Sequence, residues 1–456
     1  MDLGVTEQLA EWVAELRWET IPSVVRGRVS DLLVDAIGDG LVGHIMEETG
    51  QVARFIDRVG GAGQTTVLGG ETTSQFGAAF MNGYLITAAT VCDVYRPTHC
   101  HVGPEVIPAA LAAAELVGAT GAELLAAVAA GLEVTTRVGQ ALGPVELLRR
   151  GWHAPGVTGG FGAAAAAGKL LGLTVSEQAQ AFGLAGSQAS GTYAQWGTPA
   201  VKFHQAHGAT SGLVAAMLVS EGFTATSNVF TAPNGGFLST YTGGGDSSAL
   251  IAGLGSDWEL MGISLRLWPT GSPIQSVPTA LFALMGEHPI DPDQVVKIRI
   301  TLPSAVHAMH GEFSWSDPFS ARLSPQYVAA VTVLDSACWC EQFTESRIAD
   351  LRVNDFATNR VELEADSSLP GGAAGVDVKL MGGESRVHIA LVPRGDPSAP
   401  LTNEELMAKF RACGRYSFTD EEVSALLPQL QGLHSERDVG GVLKALRRPA
   451  NHPTSR

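Results

Sequence analysis

Charge is scarce in this chain. Only 16% of its residues are charged, against 45% hydrophobic, and the balance is acidic, with a formal net charge of -17 spread over the chain without a long acidic block. Binding a phosphate backbone requires a basic patch or stripe, and none is present, so no nucleic-acid partner is expected. An anionic substrate is repelled at long range, and any site for one must supply its own local cations. The low charged share also implies that much of the surface is covered, by domain volume or by a second subunit, which points to a homo-oligomer.

Cysteine is sparse too. Cys92, Cys100, Cys338, Cys340 and Cys413 are odd in number and form no CxxC pair, which reads as reduced thiols of a cytoplasmic chain and excludes a disulfide framework. The opening segment MDLGVTEQLAEWVAEL carries acids inside an apolar pattern and no basic stretch, so it reads as an amphipathic helix rather than a signal peptide. Long uninterrupted apolar runs are also missing. The nearest, Val106 to Val134, contains Glu115, Glu123 and Glu133 and is split by Gly118 and Gly121, which predicts two buried core helices and no membrane partner. The Gly-rich stretches GGAGQTTVLGG (60–70) and TGGGD (242–246) lack Walker or dinucleotide spacing and read as loops. No G-x-S-x-G elbow, H-E-x-x-H or known Cys/His signature occurs, which weakens hydrolase readings.

What is there has two textures. A length of 456 residues exceeds the size of one usual core and predicts more than one domain. Most of residues 1–260 has helical periodicity in Ala/Leu/Val-rich segments ended by Gly and Pro. After Trp268 the period changes. VVKIRITL (295–302), NRVELEAD, GVDVKLMGG and SRVHIALVP alternate as half-buried strands do, and SPQYVAAVTVLD between them is a helix with a capping-type start. From Thr402 the helical period returns in TNEELMAKF and TDEEVSALLPQL, each with an N-cap residue followed by acids. The expectation is a mainly α chain: a helical main domain over 1–264, a smaller inserted α+β domain over 265–400, and a helical return over 401–456.

Three constellations could carry chemistry. The Pro/Gly-bounded loop from Cys92 through Asp93, Thr98, His99, Cys100 and His101 to Pro104 lies between apolar helices, where polar groups must find partners or line a cavity. His99 and His101 admit a metal reading with Asp93 or Cys100. His-x-His alone is a weak motif, so a non-metal role is preferred and no metal is expected. His153 in RRGWHAPG precedes the small-residue helix GGFGAAAAAGKLLG. Its position allows either an anion held at the positive helix end, which would also lower the histidine's pKa, or a simple cap, and both readings stay open. In SGTYAQWGTPAVKFHQAHG, Lys202 sits between Val201 and Phe203 ahead of a long apolar helix. It is read as a desolvated catalytic lysine with an anion partner rather than a snorkelling one, with Tyr193 upstream as a possible proton donor or acceptor. An acid, several imidazoles and an ammonium suit proton abstraction next to a carboxylate.

The order of segments resembles the MmgE/PrpD family. The matching marks are DLLVDAIGD from Asp31, AAFMNG at 78–83, Asp93 with His101 ahead of PAALA, and RGWH ending at His153. They continue with Lys202-Phe203-His204 before a Gly/Ala helix, RLWP at 266–269 and PLTNEELMAKF. The resemblance covers nearly the whole chain. It implies a helical main domain with a smaller α+β lid domain, a homodimer, no metal or organic cofactor, and a pocket for a small carboxylate substrate. By position it implies Asp93, His101, His153 and Lys202 as site residues; Tyr193 joins them as a catalytic candidate from its own loop, and Thr98, His99, Trp196, His204 and Gln275 are the candidate substrate-binding residues.

This sequence departs from the family pattern in places. Thr90 and Cys92 stand where further acids would follow the D-x-D-D pattern, Gln275 stands near a histidine position, and Thr210 stands where an Arg is often found. Fewer cations mean fewer carboxylate clamps. The expected function is a cofactor-independent lyase, of dehydratase or decarboxylase type, that removes a proton next to a carboxylate of a small organic acid. The alternatives are an epimerase or isomerase with Tyr193 and Lys202 as opposed bases, and a non-catalytic binding protein on the same fold.

Overall fold

The computed structural model describes residues 3–448. Residues 1, 2 and 449–456 of the expected domains lie outside that range. Helix accounts for 60% and strand for 9%, so the chain is mainly α. Contacts divide it into two compact units. One takes the chain up to Ser264 and again from Thr402, and the other is Leu265–Leu401.

The first unit opens with α1 (Val5–Glu15), α2 (Ser23–Val42) and α3 (Thr49–Val59), then the two-residue strands β1 (Thr65–Thr66) and β2 (Thr72–Thr73). There follow α4 (Gln75–Ala88), β3 (Val94–Tyr95), α5 (Gly103–Val117), α6 (Gly121–Leu142), α7 (Pro144–Arg149) and α8 (Ala154–Leu170). The stretch ends with α9 (Val175–Gln188), α10 (Ala200–Ser220), α11 (Phe237–Thr242) and β4 (Ile263–Ser264), which pairs with β3. The apolar run 106–134 breaks as the local chemistry dictates. Gly118 takes the left-handed C-cap of α5 at φ 64, and Thr120 with Glu123 forms a capping box that starts α6.

α8 and α10 form the centre of this unit. α8 is almost entirely buried, and its small residues let the two helices approach backbone to backbone. A Cβ added at Gly212 would lie 2.4 Å from both the Ala163 Cβ and the Gly160 carbonyl, so no larger residue fits that crossing. The other side of α8 is filled by Phe161, which meets Phe230 at 5.0 Å and Phe237 at 4.7 Å between ring centroids. Each such ring adds about 1.5–3 kcal/mol of burial. At the start of α8 the approach is equally close, since a Cβ on Gly156 would lie 2.2 Å from the Ser190 carbonyl and 3.2 Å from the His204 Cβ, and both helices begin at polar loops.

The second unit contains α12 (Ser276–Glu287), β5 (Val295–Pro303), α13 (Ser304–His310), α14 (Pro318–Leu323), α15 (Pro325–Asp335), α16 (Glu345–Ile348) and α17 (Leu351–Arg360). Three strands complete it: β6 (Val361–Asp366), β7 (Ala374–Leu380) and β8 (Ser385–Ala390). The sheet order is β6-β5-β7-β8, with β5 and β6 parallel (Ile298 opposite Val361) and the other pairs antiparallel (Ile300 opposite Val376, Val376 opposite His388). A register shift between Val295 and Lys297 resets the alternation, which is why Val295 and Ile298 are both buried despite their odd spacing. Ile298, Ile300, Val376 and Val378 pack with Leu281 of α12 and Val328 and Val331 of α15. Ser324 caps α15 by accepting from the Tyr327 amide.

The chain re-enters the first unit with α18 (Asn403–Gly414), α19 (Asp420–Gln431) and α20 (Gly440–Ala445), the first two opened by capping boxes at Thr402 and Thr419. Lys409 fastens α18 to α2. Fully buried, it bonds Asp35 at 2.7 Å and the Val91 carbonyl at 3.0 Å, and lies 3.0 Å from Asp39. Among the described residues, no helix is long and apolar enough to cross a membrane.

Candidate active site

His153 is the N-cap residue of α8, and the loop 190–193 is zipped to it. His153 N donates to the Gly191 carbonyl at 3.0 Å, Tyr193 N to Gly151 at 2.7 Å and Ser190 N to Gly156 at 3.1 Å. Gly191, at φ 109, lays its backbone on the His204 imidazole, where a Cβ would sit 3.0 Å from the ring. His204 rises from the first turns of α10 to place its Nδ1 2.9 Å from the Nδ1 of His153. Both rings are buried. Burial, and then the neighbouring His204, hold the His153 pKa down to about 3, while burial and His207 lower that of His204. The position of His153 before a helix leads to the expectation that the helix end lowers its pKa. The causes in the structure are desolvation and a second imidazole. Tyr193 lies 6.4 Å from the His153 ring and stacks on Trp196 at 5.7 Å and 8°. Burial pushes its phenol pKa up.

Lys202 is two residues before His204, about 200° away around the helix, so the two side chains leave α10 on different sides. Lys202 is 2% exposed and donates to Glu48 Oε2 at 2.8 Å. The Tyr84 hydroxyl of α4 donates to the same oxygen at 3.2 Å, and Thr49 donates to Tyr84 at 3.3 Å. Burial raises the Glu48 pKa, but the charge and hydrogen bond of Lys202 outweigh it and the net shift is downward. Glu48 was missed in the sequence. The buried lysine announced that an anion must exist, but nothing in the spacing said which of 46 acids it was.

The loop from Cys92 to His101 forms a third cluster. Asp93 accepts from the Val102 amide at 2.9 Å and the Gly103 amide at 2.9 and 3.1 Å, and so caps the start of α5. His101 Nδ1 lies 2.7 Å from the Asp93 carbonyl, which can only accept, so Nδ1 carries the proton. Thr98 donates to Cys100 Sγ at 3.1 Å, and that sulfur lies 3.3 Å from Thr158 Oγ1, tying the loop to α8 one turn below His153. His99 sits in the left-handed region at φ 57 with its side chain exposed, and crowding by neighbouring atoms followed by the Arg96 charge lowers its pKa. Below this loop Glu105 is fully buried, with neither carboxyl oxygen hydrogen-bonded among the described residues, and burial raises its pKa well above the usual range.

Gln275 belongs to the second unit. Its Nε2 donates to the Trp268 carbonyl at 2.7 Å and to Thr270 Oγ1 at 2.8 Å, so its amide holds the turn after RLWP.

Comparison with known proteins gives this arrangement its context. Residues 7–249 match the MmgE/PrpD N-terminal domain and residues 268–430 the MmgE/PrpD C-terminal domain. The chain belongs to the MmgE/PrpD family. Similar curated proteins include a cis-aconitate decarboxylase-like protein of Aspergillus oryzae, 29% identical over 96% of each chain. A cis-aconitate decarboxylase of Aspergillus terreus is 27% identical over 99% of this chain and 97% of its own, and that of Homo sapiens 26% identical over 98% and 95%.

In this MmgE/PrpD member, then, two polar clusters flank the first turns of α10, Lys202 with Glu48 on one side and His204 with His153 on the other. The first supplies a fixed ammonium. The second supplies neutral imidazoles able to hold or release a proton. An ammonium to attract a carboxylate and an imidazole to move a proton are what enolate-type chemistry asks of a protein.

Proposed function

We propose that this chain is a decarboxylase-type lyase that acts on a small unsaturated polycarboxylate, with cis-aconitate as the first candidate. The observation that carries the reading is similarity along nearly the full length of the chain to proteins named cis-aconitate decarboxylases. The side chains support it. Loss of carbon dioxide from a carboxylate on the saturated carbon next to a double bond leaves an allylic carbanion that a second carboxylate on that double bond can delocalise, and that carbanion must be protonated on carbon. Lys202, held by Glu48, is the proposed carboxylate clamp, and His153 and His101 are the proposed proton-handling groups. Thr98, His99, Trp196, His204 and Gln275 are retained as candidate substrate-binding residues, and Asp93 as the group that sets the His101 loop. The ion pair of Lys202 disfavours the neutral lysine that an epimerase with a Tyr193/Lys202 base pair would need.

The proposed assembly is a homodimer in the cytoplasm. The low charged share and the exposed Val387, Ile389 and Leu391 at and just after edge strand β8 support a covered face, and five free, buried cysteines support a reducing compartment.

The test is to incubate the purified protein with a panel of di- and tricarboxylates in deuterated water and follow them by NMR. Decarboxylation predicts consumption of cis-aconitate, release of carbon dioxide, and a new alkene product with one solvent deuterium next to a carboxylate. Water gained or lost without carbon dioxide would make the chain a dehydratase, deuterium in recovered or inverted substrate an epimerase, and silence across the panel a non-catalytic protein. Full turnover in both Lys202→Ala and His153→Ala would remove these residues from the site.

A further inference from the structure

The two imidazoles at the starts of α8 and α10 are joined by their Nδ1 atoms at 2.9 Å, with ring planes 50° apart. The groups facing them are the Tyr193 phenol, 6.4 Å from His153 between centroids, and His207 on the helix of His204. Among the described residues, no carboxylate bonds to either ring. A bridge of this kind holds one proton, with one ring donating Nδ1–H and the other accepting at a bare Nδ1. Two neutral rings joined in this way are opposite tautomers, one with a bare Nε2 and the other with Nε2–H. A second proton leaves both Nε2 atoms protonated and the pair cationic. Burial opposes that charge in the protein alone, holding His153 down to about 3. With no carboxylate among the described residues bonded to the pair, an anionic substrate is the partner that would stabilise it.

We propose that His153 and His204 form a one-proton pair that takes up a second proton when a carboxylate substrate binds, and that His153 then protonates the carbanion left by decarboxylation. The proposal rests on the decarboxylase-type reading given above. In the step, the bond from carbon to the departing carboxylate breaks and its electrons remain on the substrate framework as carbon dioxide leaves. The Nε2–H bond of His153 breaks, its proton forms the new C–H bond, and the N–H electrons stay on the imidazole. The pair returns to its neutral, singly bridged form, and the net change consumes one solvent proton. His204 does not touch the reacting carbon. It is a positioning residue whose bare Nδ1 keeps the Nδ1–H of His153 satisfied while that ring is cationic.

The experiment uses the full chain labelled with 15N-histidine and propane-1,2,3-tricarboxylate, a saturated probe that cannot undergo the allylic decarboxylation. NMR of the free protein should show the two rings in opposite tautomers, and two rings of the same tautomer overturn the pair whatever the activity. On adding the probe at neutral pH, both Nε2 atoms should become protonated, with one positive charge on the bridged pair. Calorimetry in buffers of different ionisation heat should then give an uptake approaching about one proton per site. His204→Asn replaces the imidazole acceptor for the His153 Nδ1–H by a less basic amide oxygen, so the cationic form of His153 is less well held. It should take up less proton, bind the probe more weakly because uptake and binding are linked, and lose about a hundredfold in kcat, the low end of what a positioned acid supplies. Its kcat should also fall off at lower pH than that of wild type. Probe binding without proton uptake in wild type, or a His204→Asn enzyme with unchanged kcat and pH profile, overturns the proposal. Where His204→Asn fails to fold, the wild-type NMR titration decides, since rings that stay neutral with probe bound are equally fatal. No turnover on any substrate together with opposite tautomers in the free protein means that the decarboxylase reading has failed and the proposed proton delivery with it, while the pair itself stands.

Discussion

Lys202 and Glu48, 154 positions apart, meet at 2.8 Å at the start of α10, with the lysine 2% exposed and the glutamate side chain 19% exposed. Their exposures differ, so the two halves of the pair do not cost the same to remove. Glu48→Gln takes the anion from a buried ammonium and should destabilise the fold toward the lower end of about 3–5 kcal/mol. Lys202→Met leaves a carboxylate that keeps the Tyr84 hydroxyl and reaches solvent, and should cost less. The Glu48 pKa is depressed in the folded state, so its stabilisation is present above the ordinary carboxylate range and is lost as pH falls through the folded value. Urea unfolding against pH should therefore show a flatter acid limb for Glu48→Gln than for wild type. Equal losses in the two variants would mean that the pair is not what holds this turn.

Asp93 makes a separate prediction, because its carboxylate is engaged with backbone amides of Val102 and Gly103. Asp93→Ala should lose about 1–2 kcal/mol, the value of an N-cap, and should loosen the loop that carries His101. Asp93→Asn retains an acceptor oxygen and should lose less than half of that. Gly103→Ala should resemble Asp93→Ala, since its new Cβ would fall 2.2 Å from Asp93 Oδ2. Thermal unfolding and kcat measured on the three variants check the order. An Asp93→Ala protein of full stability but no activity would instead place the carboxylate in the chemistry.

Much of the fold was legible because its signals are local. The capping boxes at Thr402 and Thr419, the split at Gly118 and Gly121, and the alternation of VVKIRITL each depend on residues within one or two turns of each other. The bulge at Val295/Lys297 was not legible, because it depends on what β7 places opposite. The site divides in the same way. His153 could be placed before a helix from its flanking Pro and Gly, and Lys202 stood out as a cation in an apolar setting. Their partners could not be read, because His204 lies 51 residues from His153 and Glu48 lies 154 from Lys202, and only the packing of α8 and α10 brings them together. Asp93 looked like an acid available for chemistry because a sequence does not reveal which backbone amides a loop will turn toward it.

The buried histidines predict how the protein responds to acid. His153 and His310 are held to about 3 and about 4, His153 by burial and then by His204, His310 by burial against a weaker opposing bond to the Leu323 carbonyl. In both cases the folded value lies below the unfolded value of 6.5. Between those values the unfolded chain binds protons that the folded chain does not, so stability rises with pH across that window and falls as acid is added. Each histidine contributes up to about 1.4 kcal/mol per pH unit. His310→Asn, in the second unit, should unfold in urea with a shallower loss between pH 6.5 and 4 than wild type. Parallel curves would show that His310 titrates normally.

Glu105 and Gly159 are coupled by shape. A Cβ on Gly159 of α8 would lie 2.2 Å from the Glu105 carboxyl carbon, so Gly159→Ala should cost about 1–3 kcal/mol by overpacking. Glu105→Ala opens a cavity in the same place and should be destabilising on its own. Joined, the two changes partly fill each other's defect, so the double variant should be more stable than the sum of the singles predicts by at least about 1 kcal/mol. Charge gives a second, independent check. The Glu105 pKa is raised in the folded state by burial, so wild-type stability declines as pH climbs above the ordinary carboxylate range, where the unfolded chain ionises and the folded one does not. Glu105→Gln keeps the shape and removes that slope. It should match wild type near pH 4 and exceed it at pH 7 in urea unfolding. A Glu105→Gln protein less stable at pH 7 than at pH 4, relative to wild type, would mean that the carboxyl is ionised in the fold and has found a partner there.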